Sequence, residues 1–276
     1  MTFRDMKFIQ ITDLHLVPQG EILHGLNPYD RLKECINDIN RNHKDAELCV
    51  ITGDLAHGAN QKAYLNLREC LSHLKMPVHL LIGNHDRRDR LLATFPNMPV
   101  DASGFLQTHV DTSAGRFIML DTVEQGKAWG SFCTKRLEWL HGTLNDSLDL
   151  PVYLFMHHPP FHVGIPSLDR IGLGSDGDQI GEVLSSHKNI RHLFFGHVHR
   201  PITGSWQGIP YSSLRGTNHQ VPLDFKAIEV VPKSHEPPAY AIVFLENKQT
   251  TVHFHDYLDS YRVPYHKKSE GRPDWL

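Results

Sequence analysis

The chain has no apolar run approaching the length of a membrane span, and no long apolar segment follows the charged residues of positions 1–7. Neither a transmembrane helix nor a secretory leader is expected, so the cytoplasm is the default compartment. Cysteine is scarce: Cys35, Cys49, Cys70 and Cys133 are the only four, and none forms a CxxC pair. A chain of this size needs no disulfide framework, and buried free thiols are expected. Charge of one sign is lacking too, with 28 Lys and Arg against 31 Asp and Glu and no continuous basic stripe. That argues against a stable nucleic-acid complex, attachment to anionic lipid, or nuclease action on an extended strand. Repeats and low-complexity segments are absent. What remains is a 276-residue chain, 40% apolar, sufficient for one large α/β domain or two small ones. Histidine is plentiful, with 21 copies.

Apolar runs and helical periodicity alternate along the chain. Residues 8–12 read as a short buried strand, followed by an irregular rim loop at 17–28. Pro28 stands near the start of a helix over 30–40 that carries Leu32, Ile36 and Ile39 on one face. A strand at 48–52, a helix bearing Tyr64, Leu67, Leu71 and Leu74, and a strand at 78–82 complete a βαβαβ order. That order implies parallel strands under covering helices. Strands around 104–109 and 116–121 open the second half, and Thr134 is placed to cap a helix bearing Leu137, Leu140 and Leu144. A strand at 152–156, a loop at 161–177, a helix with Ile180, Val183 and Leu184, and a strand at 190–195 follow. Beyond Arg200, strands are expected at 211–214 and 239–246, the latter pairing with 250–256 through a turn at 247–249. Residues 265–276 read as a tail or an oligomer contact.

Five short motifs sit at the ends of these apolar runs: Asp13-Leu14-His15, Gly53-Asp54, Gly83-Asn84-His85-Asp86, His157-His158 and Gly196-His197-Val198-His199. Strand ends in open α/β folds converge on one edge, so distant motifs can form one cluster. Carboxylate and imidazole without thiolate suit Mn, Fe, Co or Zn. Asp54 is the best candidate for a carboxylate bridging two ions roughly 3.5–4 Å apart. Asn84 offers a neutral oxygen ligand, and His85 a contact to substrate or leaving group. His157 supplies a nitrogen to the second ion, and His197 and His199 can serve the two ions separately. His158 is either an outer donor or packing beneath Pro159 and Pro160. Arg87 and Arg88 either face the pocket or belong to a solvated helix start. His43, His73, His79, His141, His187, His192 and His235 lack a supporting motif and read as structural or solvent-facing.

Through these motifs the chain resembles the calcineurin-like metallophosphoesterase superfamily over about residues 8–200. The resemblance implies an α/β fold, a four-layer α/β/β/α sandwich, with two divalent or mixed-valence metal ions. It implies that one ion takes Asp13, His15, Asp54 and His199, the other Asp54, Asn84, His157 and His197, with His85 on the phosphate. Length and the segment His157-His158-Pro159-Pro160 resemble bacterial class III cyclic nucleotide phosphodiesterases and related glycerophosphodiesterases. The stretch Gly216-Thr217-Asn218-His219-Gln220-Val221-Pro222 resembles the glycerophosphodiesterase branch and makes His219 a substrate-binding candidate. On this basis residues 1–232 form the catalytic domain, and 233–276 complete it or contribute to a homo-oligomer.

The activity so implied is hydrolysis of a small-molecule phosphodiester by a metal-activated hydroxide, with Asn84, His85 and His219 on the phosphoryl oxygens. One alcohol arm would be glycerol or a choline or ethanolamine derivative. A cyclic nucleotide is the competing substrate, with Phe161, Trp129 or Trp206 as stacking candidates against a core or loop-packing role. A non-catalytic, metal-dependent protein-binding scaffold is the alternative of another class.

Overall fold

A computed structural model describes residues 4–246 and 248–259. The first sheet is built from β1 (Met6–Ile11), β2 (Leu48–Ile51) and β3 (Val78–Leu80), which are parallel. It is completed by the antiparallel pair β10 (Tyr240–Glu246) and β11 (Gln249–His255), giving the order β11-β10-β1-β2-β3. The second sheet has the order β4-β5-β6-β7-β9-β8. Its strands are β4 (Thr108–Thr112), β5 (Gly115–Met119), β6 (Val152–Met156), β7 (Ile190–Phe195), β8 (Ile202–Trp206) and β9 (Ile209–Ser213). Strands β5, β6, β7 and β9 are mutually parallel.

Side chains alternate along each strand, and this alternation makes four layers from two sheets. Phe8, Leu48 and Val50 point inward and meet Phe117, Phe155 and Phe194 of the other sheet. The Phe8 ring lies edge-on to all three, with centroids 5.1–5.7 Å apart. Ile9, Ile11, Cys49 and Ile51 point outward against α1 (Pro28–Asn42) and α2 (Gln61–Ser72). On the far side Ile118, Leu154, Met156 and Leu193 pack under α4 (Thr134–Asn145) and α6 (Ser175–Ser185). The short helices α3 (Arg88–Thr94) and α5 (Pro166–Asp169) lie in loops. The α/β/β/α sandwich implied by the family resemblance is thus the architecture found. No helix among the described residues is long and apolar enough to cross a membrane.

Several boundaries differ from the sequence reading. The strand expected at 104–109 begins only at Thr108, because the Asp101 carboxylate accepts from the amides of Ser103 and Phe105 and from the Gln107 side chain. Those bonds hold 101–107 in a turn. Strand β3 stops at Leu80, where the chain bends into Gly83. The stretch 161–177 contains α5 and the first turn of α6. Strand β8 was not anticipated. Thr134 is the first helical residue and not the cap; Cys133 occupies that position without a side-chain capping bond. Cys133 is also exposed, in contrast to the three buried thiols. The turn residue Asn247 and the tail at 265–276 lie outside the described residues.

Candidate metal centre

Each motif follows a strand, and all five converge where β1, β2, β3, β6 and β7 end. The backbone turns sharply at these ends. Asp13, His15, Asp54, His197 and His199 all have positive φ, five of the nine non-glycine residues that do so among the described residues. Such conformations cost of order 1–3 kcal/mol each and cluster where function requires a side chain in a particular direction. The flanking Gly53 (φ 97°) and Gly83 permit close approach: a Cβ on Gly53 would sit 2.5 Å from His157 Nδ1, and one on Gly83 2.3 Å from an Asp54 oxygen.

Two donor groups result, joined by Asp54. Asp54 Oδ2 lies 3.4 Å from His15 Nε2, while Asp54 Oδ1 lies 3.5 Å from His157 Nε2. On the first side His15 Nε2 and His199 Nε2 are 3.1 Å apart, and His199 Nε2 is 3.5 Å from Asp13 Oδ1. On the second side Asn84 Oδ1 is 3.1 Å from His157 Nε2 and 3.0 Å from His197 Nδ1.

The outer ring nitrogens assign the tautomers. His157 Nδ1 donates to the Thr52 carbonyl at 2.8 Å, and His199 Nδ1 donates to the His219 carbonyl at 2.8 Å. Each Nε2 is therefore the nitrogen that faces the centre. At His157, which holds its Nε2 proton up to about pH 9 and can donate it to Asn84 Oδ1, a cation would have to displace that proton before the nitrogen could serve as a ligand. Asp13 Oδ2 is buried without a hydrogen-bond partner. These donors, nitrogen and oxygen with no thiolate, fit two borderline or hard divalent cations.

Electrostatics point the same way. Burial would raise the Asp54 carboxyl, but His157, His85 and His15 together hold it well below the usual carboxylate range. Burial raises Asp13, against the pull of His199. His157 titrates at about 9, because Asp54 and Asp13 outweigh the effect of burial, whereas burial pushes His15 and His197 well down. In the absence of metal the Asp54 carboxylate is balanced by protonated His157, so loading the centre would displace protons.

The loops around this centre are held by Asp86. Its carboxylate accepts from the amides of Leu55, Ala56 and Gly83 at 2.9–3.0 Å and from the Tyr64 hydroxyl at 2.9 Å. The turn after β2 is thereby tied to the turn after β3. His85 donates its amide to Asp54 Oδ1 at 2.8 Å, and its ring stands 4.7 Å from that of His15. His219 lies over the first donor group, with ring centroids 4.8 Å from His15 and 4.7 Å from His199. Gln220 clamps this loop by bonding the Gly216 amide and carbonyl.

The nine residues singled out from the motifs thus meet in one place. Where the sequence left two alternatives, the structure selects packing or the surface. Arg87 pairs with Asp89, and Arg88 makes a two-pronged contact with buried Asp121, so neither lines the pocket. Phe161 and Trp206 pack on each other and on the second sheet, while Trp129 is exposed beside Lys127. His158 meets the Thr122 hydroxyl at 2.9 Å and lies against the His197 ring. His235, read as merely structural, donates to the His24 carbonyl at 2.7 Å and so fixes the pocket rim.

The pocket is also lined by His24, His57 and Lys233 and by the aliphatic Leu168, Ile171, Val221 and Val231. None of these was identified from the sequence. A histidine three residues after Asp54 is one of 21, and the aliphatic wall comes from loops without periodicity.

The sequence profile of calcineurin-like phosphoesterases matches residues 6–201. A probable cyclic nucleotide phosphodiesterase of Rhodopseudomonas palustris is 41% identical over 251 residues, covering 90% of this chain and 91% of that protein. A probable glycerophosphodiester phosphodiesterase of Arcobacter nitrofigilis is 28% identical over 262 residues, 94% and 96% of the two chains. Among solved structures, a dimetal phosphatase from Danio rerio superposes with a TM-score of 0.71 at 18% identity, covering 92% of this chain and 97% of that one. The last likeness concerns the fold alone. With the profile spanning most of the chain and a relative of this identity matched along nearly its whole length, the protein belongs to the calcineurin-like phosphoesterase family.

Proposed function

We propose that the protein is a two-metal phosphodiesterase acting on small phosphodiesters, glycerophosphodiesters among them. The observation that carries this is the aim of Asp54, whose two oxygens serve two separate donor groups. Asp13, His15, Asp54 and His199 would hold one ion; Asp54, Asn84, His157 and His197 would hold the other. Bound divalent ions, with Mn, Fe, Co and Zn all suited to these ligands, would lower the pKa of an attacking water and offset charge on the phosphoryl oxygens. Asn84, His85 and His219 would orient the phosphoryl group, and His85 would give a proton to the departing alkoxide. The test is turnover of the purified, metal-reconstituted protein on glycerophosphodiesters, cyclic nucleotides and monoesters. Saturable metal uptake without repeated turnover on any of them would instead favour a binding scaffold.

The proton role makes a specific demand. His85→Ala should retain two ions per chain, yet lose about 10²-fold or more in kcat on an alkyl diester such as glycerophosphoglycerol. On bis(4-nitrophenyl) phosphate, whose leaving group needs little protonation, the loss should be much smaller. Equal losses on both substrates would remove His85 from this role.

Cyclic nucleotides remain a second reading, supported by the wall of Leu168, Ile171, Val221 and Val231, which offers an aliphatic face to a base. The charge of the rim argues against choline and ethanolamine arms. Lys233 lies on the pocket, and Asp54 is the only carboxylate among the described residues lining it. Lys233→Glu should raise kcat/KM for glycerophosphocholine relative to glycerophosphoglycerol by about five-fold at low salt, an effect that added salt should suppress. An unchanged ratio would show that the lysine does not sense the alcohol arm.

A further inference from the structure

His57 lies outside the proposed ligand set, yet it touches two members of the centre. Its Nδ1 is 3.4 Å from His15 Nδ1, and its ring stacks on His85 with centroids 4.7 Å apart and planes 25° from parallel. The side chain is half-buried and its backbone is fixed, since the His57 amide donates to the Leu16 carbonyl at 2.8 Å. The preceding residue, Ala56, is held by Asp86 and bridges Leu16. The turn that follows Asp54 is therefore built to present this imidazole to the strand end that carries His15.

The two contacts have different chemistry. His15 turns Nε2 toward Asp54 and His199, so a cation there requires the His15 proton on Nδ1. The group facing that Nδ1 is His57 Nδ1, which must accept and therefore carry its own proton on Nε2. The stacked face, in contrast, limits rotation of the His85 ring without involving the His57 nitrogens. A carboxylate or carbonyl usually holds a ligating histidine in this way, and loss of such a partner weakens metal affinity.

We infer that His57 is a positioning residue with two separable tasks: Nδ1 fixes the ligating tautomer of His15, and the ring face sets the orientation of His85. The inference rests on the two-metal reading above.

Two variants of the full-length chain separate these tasks. His57→Phe keeps an aromatic face over His85 and removes the acceptor. Titration of metal-free protein with Mn2+ should then show one of two sites weakened roughly 10- to 100-fold and the other unchanged. His57→Asn keeps an oxygen that can accept from His15 and removes the ring. Its Mn2+ affinities should match wild type. Its kcat on a series of methyl aryl phosphate diesters should fall more steeply as leaving-group pKa rises. Imidazole 15N spectra of the metal-free proteins give a readout independent of turnover, with the His15 proton held on Nδ1 in wild type and His57→Asn and no longer confined to Nδ1 in His57→Phe. Wild-type Mn2+ affinity at both sites in His57→Phe would overturn the hydrogen-bonding task, and wild-type leaving-group dependence in His57→Asn would overturn the stacking task. Failure of the wild-type chain to bind two ions would instead sink the two-metal reading itself. If His57→Phe does not fold, metal-free wild type with the His15 proton on Nε2 would still overturn the first task.

Discussion

Asp54→Asn should bind one ion per chain and lose on the order of 10³-fold or more in kcat, beyond the loss typical for one transition-state hydrogen-bond donor. The substitution is discriminating because asparagine retains one oxygen. That oxygen can still accept the His85 amide, now bonded to Asp54 Oδ1 at 2.8 Å, so the local backbone should hold. The second atom becomes an NH2 group with no lone pair for a cation. Only the ability to serve both donor groups is removed. Elemental analysis after reconstitution reads the stoichiometry, and stopped assays with bis(4-nitrophenyl) phosphate read the rate. Two ions per chain with wild-type turnover would show that Asp54 is not the shared ligand.

Asp86→Ala is expected to act through folding rather than chemistry. The carboxylate is buried and accepts from three backbone amides and one tyrosine hydroxyl. Removing it leaves the amides of Leu55, Ala56 and Gly83 without this acceptor in a buried site. The expected loss is about 3–5 kcal/mol of unfolding free energy, with metal affinity falling in parallel. Asp86→Asn keeps one acceptor oxygen and should lose roughly half as much. Urea titration of the metal-free proteins measures both. A loss below about 1 kcal/mol in Asp86→Ala would mean that the turns after β2 and β3 are held by other contacts.

The helices were legible in the 3.6-residue spacing of Leu32, Ile36 and Ile39 and the central strands in short apolar runs, whereas their division into two sheets followed only from the family resemblance. The donor cluster was legible for a different reason: acidic and histidine residues recur at strand ends, where parallel topology makes them neighbours. What escaped the sequence reading depends on loops. Asp101 converts an apparent strand into a turn through side-chain bonds that no periodicity reveals. Arg88 reaches Asp121 across 33 positions and so turns away from the pocket. His24 and His57 carry no local signal, and their meaning comes from rings distant in sequence, such as the contacts of His24 with His219 and of His57 with His85.

Strand β1, which leads into Asp13 and His15, has β2 on one side and β10 on the other. Its second neighbour is supplied by residues 240–246, near the far end of the chain, with Ile9 registered opposite Ile242. During synthesis, then, the β10-facing border of β1 remains unsatisfied until residues 240–246 have emerged, whereas the other sheet draws on residues 108–213. A chain truncated after position 232 would expose that border permanently. Its open amides and carbonyls would template pairing with other chains, making such a fragment prone to aggregate.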